Sequence, residues 1–141
     1  MTLTLSQAQT ILTAGLAHGR AAGFRPLSIV VLDTRAAVIA VASEDGTSLK
    51  RFEVARGKAA GALAFNVGSR QLGVMTVERP HFFAGAAHAV GGLVPVAGGV
   101  LIRDADGKVV GCVGVSGDNS DNDEAVAVAG ITAAGLKPDG G

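Results

Sequence analysis

The apolar positions at the start of the chain repeat with the period of an α-helix. Ser6 followed by Gln9 is typical of a capping box, and apolar residues recur at helical spacing over residues 8–16. Gly23 suits the end of this helix, because glycine adopts the left-handed conformation of a C-cap without steric cost. The pattern therefore predicts a first helix that begins near Ser6 and ends at Gly23.

After this helix the pattern changes to short, β-branched apolar segments. Residues 27–33 and 36–43 have this character, which predicts a hairpin of two strands. Residues 52–65 return to a helical period with Ala and Gly on one side, as is typical of a helix that packs closely on a sheet. A further helical turn or two is expected after Ser69.

Residues 80–99 interrupt every regular period and are predicted to form a long loop. The interruptions are Pro80, Pro95 and the pairs Gly91-Gly92 and Gly98-Gly99. A loop of that length in a small domain is usually functional. Its glycines would let backbone N–H groups bind a carboxylate or phosphate, although tight turns between packed strands need the same residues.

The last third of the chain predicts a second hairpin followed by a helix. Residues 99–104 and 108–116 flank an Asp-Gly pair, which favours a tight turn. Acidic residues within 118–124 indicate a helix start, since carboxylates there accept unpaired N–H groups, and their spacing does not match a calcium-binding loop. The glycine-rich residues 135–141 are expected to be a flexible tail.

Composition narrows the class of protein. A chain of 141 residues suits one domain over residues 1–141, and the absence of Trp and Tyr leaves Ala, Val, Leu and Ile to form the core. Twelve basic residues balance twelve acidic ones, which argues against nucleic acid or an anionic membrane as a partner. The single Cys112 excludes an internal disulfide and is expected to be an inert core thiol.

The first residues and the hydropathy of the chain indicate where the protein resides. The start lacks the positive region of a signal peptide, and no uninterrupted apolar stretch of about 20 residues is present. A cytoplasmic location is therefore expected.

Lys58 is the most informative single residue for chemistry. Helical spacing places it between Val54 and Ala62, on the apolar side of its helix. A lysine in that position could bind an anion or, with a lowered pKa, act as a base. The alternative is a side chain that lies along apolar surface and keeps its ammonium group in water. Arg56, on another face, is expected to be a solvated or interface charge.

Histidines and aromatic residues meet in the predicted loop. His81 and His88 lie seven residues apart, beside Phe82 and Phe83. Either histidine would suit a general acid or base near neutral pH. Their spacing matches no zinc pattern, so no bound metal is predicted.

Two glycine-rich segments carry a resemblance to a known family. They are GGLVPVAGGVLI at 91–102 and VVGCVGVSG at 109–117. With the two predicted hairpins, they resemble the GlcG/HbpS-like family of haem-degrading domains, which is also similar to the C-terminal domain of PduO-type proteins. The resemblance spans nearly the whole chain. It implies the α/β (α+β) class, as a profilin-like three-layer α/β/α sandwich around a five-stranded antiparallel sheet.

The same resemblance has implications for assembly and for single residues. Members form homo-oligomers, dimer-based and up to a tetramer or octamer. Some haem-binding members have a histidine in the first helix, so His18 resembles an axial ligand, and the family's Lys-Ala pair matches Lys58-Ala59. Relatives often carry Gly-Gly in the first hairpin turn, where this chain has Arg35-Ala36. A different turn is expected, because neither residue readily accepts a positive φ.

The first functional hypothesis is binding of haem, a related tetrapyrrole or a small anionic ligand. His18 would be the axial ligand, Lys58 would lie near a propionate-like carboxylate, and the glycine-rich loop would lie against the ring. The loop residues with this expected role are Gly91, Gly92, Gly98 and Gly99.

The alternative hypothesis is a cofactor-free enzyme that acts on a small carboxylate metabolite. It would be of the tautomerase, isomerase or hydrolase type, with His81 or His88 as acid or base and Lys58 as the anion anchor. A third hypothesis is a structural oligomer or sensor accessory that only binds partners. The fold does not decide among them, because one fold hosts many functions.

Overall fold

The computed structural model describes residues 1–141 as five helices around one five-stranded sheet. The helices are α1 (Leu5–Ala22), α2 (Arg51–Phe65), α3 (Ser69–Glu78), α4 (Pro80–Ala89) and α5 (Ser120–Ala133). The strands are β1 (Ser28–Asp33), β2 (Val38–Ser43), β3 (Gly99–Arg103), β4 (Val109–Ser116) and β5 (Lys137–Asp139). All neighbours in the order β2-β1-β4-β3-β5 are antiparallel, which confirms the predicted fold class.

Alternating side chains on the strands divide the core into two layers. Ile29 of β1 lies in a cluster with Ile11 of α1 and with Val126 of α5. The next residue, Val30, belongs to a second cluster with Ala55 of α2. Helices α1 and α5 therefore cover one face of the sheet and α2 covers the other, as in a three-layer sandwich.

The first helix ends where predicted but begins with a different cap. Thr4 Oγ1 accepts a hydrogen bond from the Gln7 amide at 3.1 Å, and Gln7 Oε1 accepts one from the Thr4 amide at 3.0 Å. The capping box is thus Thr4–Gln7 rather than Ser6–Gln9. Both pairs have the required spacing, but Leu3 and Ala8 flank the first one and share the core as a hydrophobic staple. Gly23 closes the helix with φ +72°.

Two segments predicted to be irregular are regular. The first half of the predicted loop 80–99 is helix α4, which begins at Pro80, since the missing N–H of proline costs nothing at the first helical position. The predicted flexible tail 135–141 contains β5, which pairs with β3. Without β5 the outer edge of β3 would carry unpaired backbone groups.

The first hairpin turn was predicted wrongly, because Ala36 does adopt a positive φ of +60°. The Asp33 carboxylate stabilises this turn, since Oδ1 accepts hydrogen bonds from the Arg35 amide at 2.8 Å and the Ala37 amide at 3.1 Å. Side-chain bonds to the turn thus offset the cost that glycine would avoid.

The connection from β4 to α5 is organised by the carboxylate of Asp118. Hydrogen bonds from the Arg25 amide, the Asn122 side chain and the Asn119 amide hold its pKa at about 2, below the ordinary value of 3.8. The N-cap of α5 is Asn119, which is not one of the acidic residues of 118–124 that indicated this helix start. None of the five helices combines the length and apolar character that crossing a membrane requires.

Acidification is expected to remove the contribution of Asp118 to stability. The unfolded chain binds more protons between about pH 4 and pH 2, so this contribution is complete above about pH 4 and is lost as the pH falls toward 2. Urea unfolding of the wild type and of Asp118→Asn should therefore differ near neutral pH and converge in acid. Asp106→Asn is the control, because that side chain accepts no hydrogen bond and is exposed. The prediction would be contradicted if the difference in unfolding free energy between the wild type and Asp118→Asn did not change with pH.

Candidate functional site

Lys58 lies buried, with its positive charge satisfied inside the protein. Its ammonium group donates hydrogen bonds to the Val115 carbonyl at 2.9 Å and to the Asp123 carboxylate at 3.0 Å. The side chain is only 3% exposed, so the alternative of an ammonium group in water is wrong. The ammonium group is not free to bind an external anion either. Lys58 therefore does not serve as the anion anchor of the haem hypothesis or of the enzyme hypothesis.

Asp123 is the partner that makes a buried lysine possible. Burial raises the pKa of this carboxyl, while the hydrogen bond from the Asp118 amide at 2.9 Å and the charge of Lys58 oppose the rise. The pair joins α2 on one face of the sheet to α5 on the other. Lys58 and Asp123 therefore connect the two helix layers across the end of the sheet.

Gly98 and Gly99, which were expected to lie against a ligand, lie against Lys58 instead. A Cβ atom on Gly98 would lie 2.8 Å from Lys58 Nζ, and one on Gly99 would lie 2.4 Å from Lys58 O. Both glycines are buried at the start of β3. Their missing side chains make room for the lysine, so they are unavailable to an outside ligand.

His18 lies on the exposed side of α1, with its ring 6.0 Å from the Phe24 ring in an edge-on arrangement. His18 is exposed whereas Lys58 is buried, so the two side chains do not line one surface. The role of His18 as an axial ligand therefore stays a prediction.

Gly91 and Gly92 are the predicted site residues that do lie at a surface groove. This cationic groove, which Gly91 and Gly92 line together with Arg35, Arg56 and neighbouring apolar residues, has a volume of about 270 Å³. Arg35 forms an ion pair with Asp33 at 2.9 Å, and the side-chain hydrogen bond from Arg35 lowers the Asp33 pKa. Arg56 forms no ion pair, so the groove has one unneutralised guanidinium group.

An apolar surface adjoins this groove. The apolar shelf has a volume of about 490 Å³ and is formed by Phe65, Phe82, Gly85, Ala86, Ala89 and Val90. Val90 also lines the cationic groove, so the two surfaces adjoin at this residue. The Phe65 ring packs against Phe82 at 6.3 Å and Phe83 at 5.1 Å, which holds α2 against α4 beneath the shelf.

His81 and His88 lie on α4 beside the shelf rather than in it. Both side chains are exposed. At about 100° per residue, they lie roughly 110° around the helix from the centre of the shelf, on the side of Gly85. They are placed to reach the part of a ligand that extends past Gly85.

Sequence analysis did not place Arg56 at a candidate site. Arg56 was expected to be a solvated or interface charge, and it is exposed, but it lines the groove. The sequence signal that could have located this groove is the Phe82-Phe83 pair followed by Gly91-Gly92.

The burial of Cys112, which raises the pKa of its thiol, confirms a core cysteine. Together the groove and the shelf suit a flat, apolar molecule that carries an acidic group.

Known proteins show where the chain belongs. The model of a family described as haem degrading protein HbpS-like matches residues 3–132. The crystal structure of HbpS has a TM-score of 0.81 at 28% identity and covers 94% of this chain and 89% of that chain. A haem complex of PduOC has a TM-score of 0.85 at 20% identity, with 96% and 97% covered.

A further solved structure has the same fold. It is the ORFY protein of Klebsiella pneumoniae, with a TM-score of 0.83 at 18% identity and with 96% of this chain and 92% of that chain covered. No curated protein matches the chain. Since the family match spans nearly all of its residues, this chain belongs to the HbpS-like family of haem degrading proteins.

Proposed function

We propose that the protein binds haem or a related tetrapyrrole on the apolar shelf, with a ring carboxylate in the cationic groove. The observation that carries the proposal is that the apolar shelf and the cationic groove adjoin at Val90. A tetrapyrrole has the same division into a flat apolar body and charged propionate groups. The family description and the haem complex of PduOC agree with this ligand class.

Arg56 is the residue proposed to hold the carboxylate. Its guanidinium group has no carboxylate partner in the protein, and a planar guanidinium binds a carboxylate through two parallel hydrogen bonds. The glycines at 91 and 92 have φ values of +84° and +106° and no side chains to block the approach. The groove therefore combines charge with open backbone.

An iron ligand is proposed from α4, because α4 carries the shelf. His88 lies three residues after Gly85 and His81 lies four residues before it, so both are on the same side of α4 as Gly85, at the edge of the shelf. His18 is the competing ligand that the resemblance implies. If His18 binds the haem iron instead, the haem lies at α1 and not on the shelf.

Self-association is part of the same proposal. Val74 and Val77 of α3 are large apolar side chains with 48% and 82% of their surface exposed, and Phe82 of the shelf is 45% exposed. Large exposed apolar side chains support a protein contact, and a symmetric homo-oligomer is the commonest form. A second copy over these residues would also shield a bound ring from water.

A haem titration followed by the Soret band tests the proposal. We expect a saturable, red-shifted band in the wild type. Arg56→Gln should weaken the affinity about tenfold, because a charged hydrogen-bond partner is lost. Phe82→Ala should also weaken it, and His88→Ala or His81→Ala should change the band position. Lys108→Gln is the control, since Lys108 lies in the exposed turn between β3 and β4.

Two outcomes would overturn the shelf as the binding site. One is the absence of a saturable band. The other is a band that His18→Ala abolishes while Arg56→Gln and Phe82→Ala leave the affinity unchanged.

A further inference from the structure

A second cationic cleft lies at the opposite end of α2. It has a volume of about 190 Å³ and is lined by Arg25, Pro26, Gly46, Ser48, Arg51 and Gly117. We name it the arginine cleft. Arg51 and Phe65 are the first and last residues of α2, about 21 Å apart at a rise of about 1.5 Å per residue. The cleft is therefore separate from the apolar shelf and independent of the function proposed there.

Arg51 is oriented in this cleft by two serines. Its Nε donates a hydrogen bond to Ser48 Oγ at 2.7 Å, and its Nη1 donates one to Ser116 Oγ at 3.3 Å. Ser116 is buried, at 1% exposure, so the guanidinium group is anchored to the end of β4. Arg51 forms no ion pair with any carboxylate. The protein thus fixes a cation in place and leaves its charge unneutralised.

A second arginine and the start of α2 also favour an anionic ligand in this cleft. Arg25 adds a second guanidinium group, whose contact with Asp118 is a long one at 3.6 Å. The Asp118 carboxylate pairs with Arg25 and accepts hydrogen bonds from three protein groups, so Arg51 is the unpaired cation of the cleft. The start of α2 lies at the same edge, and its N-cap residue Lys50 supplies no side-chain cap to the first N–H groups.

The pocket walls are open to a compact ligand. Gly46 is exposed and presents backbone without a side chain, and Ser48 presents a hydroxyl. A volume of 190 Å³ is several times the roughly 30 Å³ that a water molecule occupies in the liquid. The cleft can hold a tetrahedral oxyanion with a small substituent, whereas a flat macrocycle would need a far larger surface.

We propose that the arginine cleft is a binding site for a phosphate group, either free or as the ester of a small molecule. Two guanidinium groups and a helix start suit a dianion with several acceptor oxygens better than a single carboxylate. Arg51 makes the central contact, Ser48 and Ser116 position it, and Arg25 closes the outer side.

Isothermal titration of the purified protein tests this site with three probes: inorganic phosphate, glycerol phosphate and acetate. We expect saturable binding of phosphate, with acetate much weaker. Arg51→Gln should weaken phosphate binding about tenfold, and Arg25→Gln should weaken it by a smaller factor. Lys108→Gln is the control, since Lys108 lies in the exposed turn between β3 and β4, away from both grooves, and its loss should leave phosphate binding unchanged. Tighter binding of glycerol phosphate than of inorganic phosphate would assign the site to an ester.

Circular dichroism and thermal melting establish that each variant is folded. Should Arg51→Gln not fold, Ser48→Ala tests the same contact, because it frees the guanidinium group without removing it. The proposal is wrong if phosphate shows no saturable binding, if acetate binds equally well, or if the folded Arg51 or Ser48 variant and Arg25→Gln bind phosphate as the wild type does.

Discussion

Lys58→Met is expected to lower the free energy of unfolding by about 3–5 kcal/mol, the usual cost of leaving one charge of a buried ion pair without its partner. The methionine fills a similar volume, so the loss arises mainly from the Asp123 carboxylate, which keeps only its hydrogen bond from the Asp118 amide. Urea unfolding followed by circular dichroism measures the effect. Arg56→Met is the matched control, because Arg56 lies two positions away on the same helix and is exposed.

The double variant Lys58→Met/Asp123→Leu separates a missing partner from a packing defect. Replacing both members of a buried pair by apolar residues is often neutral, so the double variant should regain most of the lost stability. Equal instability of the single and double variants would show that the lysine acts through packing alone. A loss below about 1 kcal/mol in Lys58→Met would contradict the assigned ion pair.

Gly114→Ala is expected to be the second most damaging change. A Cβ atom at this position in β4 would lie 2.0 Å from the backbone carbonyl oxygen of Ala55 in α2 and 3.0 Å from Ala59 Cβ. Backbone cannot move aside as a flexible side chain does, so α2 must separate from the sheet. We expect a loss of about 3 kcal/mol in the free energy of unfolding, at the upper end of the range for overpacked cores.

Gly85→Ala is a control with the opposite expected sign. A Cβ atom there meets nothing within 4 Å, and Gly85 lies inside α4. Alanine in a helix interior is favoured over glycine by about 1 kcal/mol, so this variant should be slightly more stable than the wild type. The same stability for Gly114→Ala as for the wild type would refute the close packing of α2 on β4.

Several elements could be predicted because their signals are local. Gly23 ends α1 as a left-handed C-cap, and Gly107 adopts φ +83° in the turn between β3 and β4. The run of buried residues in β1 was visible as a β-branched segment bounded by turn residues. Each of these signals acts within a few positions of the chain, so neighbouring residues are enough to predict the structure.

Other elements were misjudged because a local signal had two meanings. Pro80 interrupts a helix when it lies inside one but begins a helix when it lies first, and the sequence does not say which applies. The glycines of residues 135–141 predicted a flexible end, yet three residues between them complete the sheet. In the first hairpin, the carboxylate of Asp33 supplies bonds that let Ala36 take a conformation expected only of glycine.

By itself the sequence determined the order of most helices and strands, the composition of the core, the resemblance that led to the family and the apolar position of Lys58. The tertiary structure decided that Lys58 pairs with Asp123, which is 65 positions away, and that Arg56 meets Gly91 and Gly92 beside an apolar shelf. The physical reason is the range of the interactions. Helix caps and turns depend on adjacent residues, whereas a buried charge or a groove depends on which distant elements the packed sheet brings together.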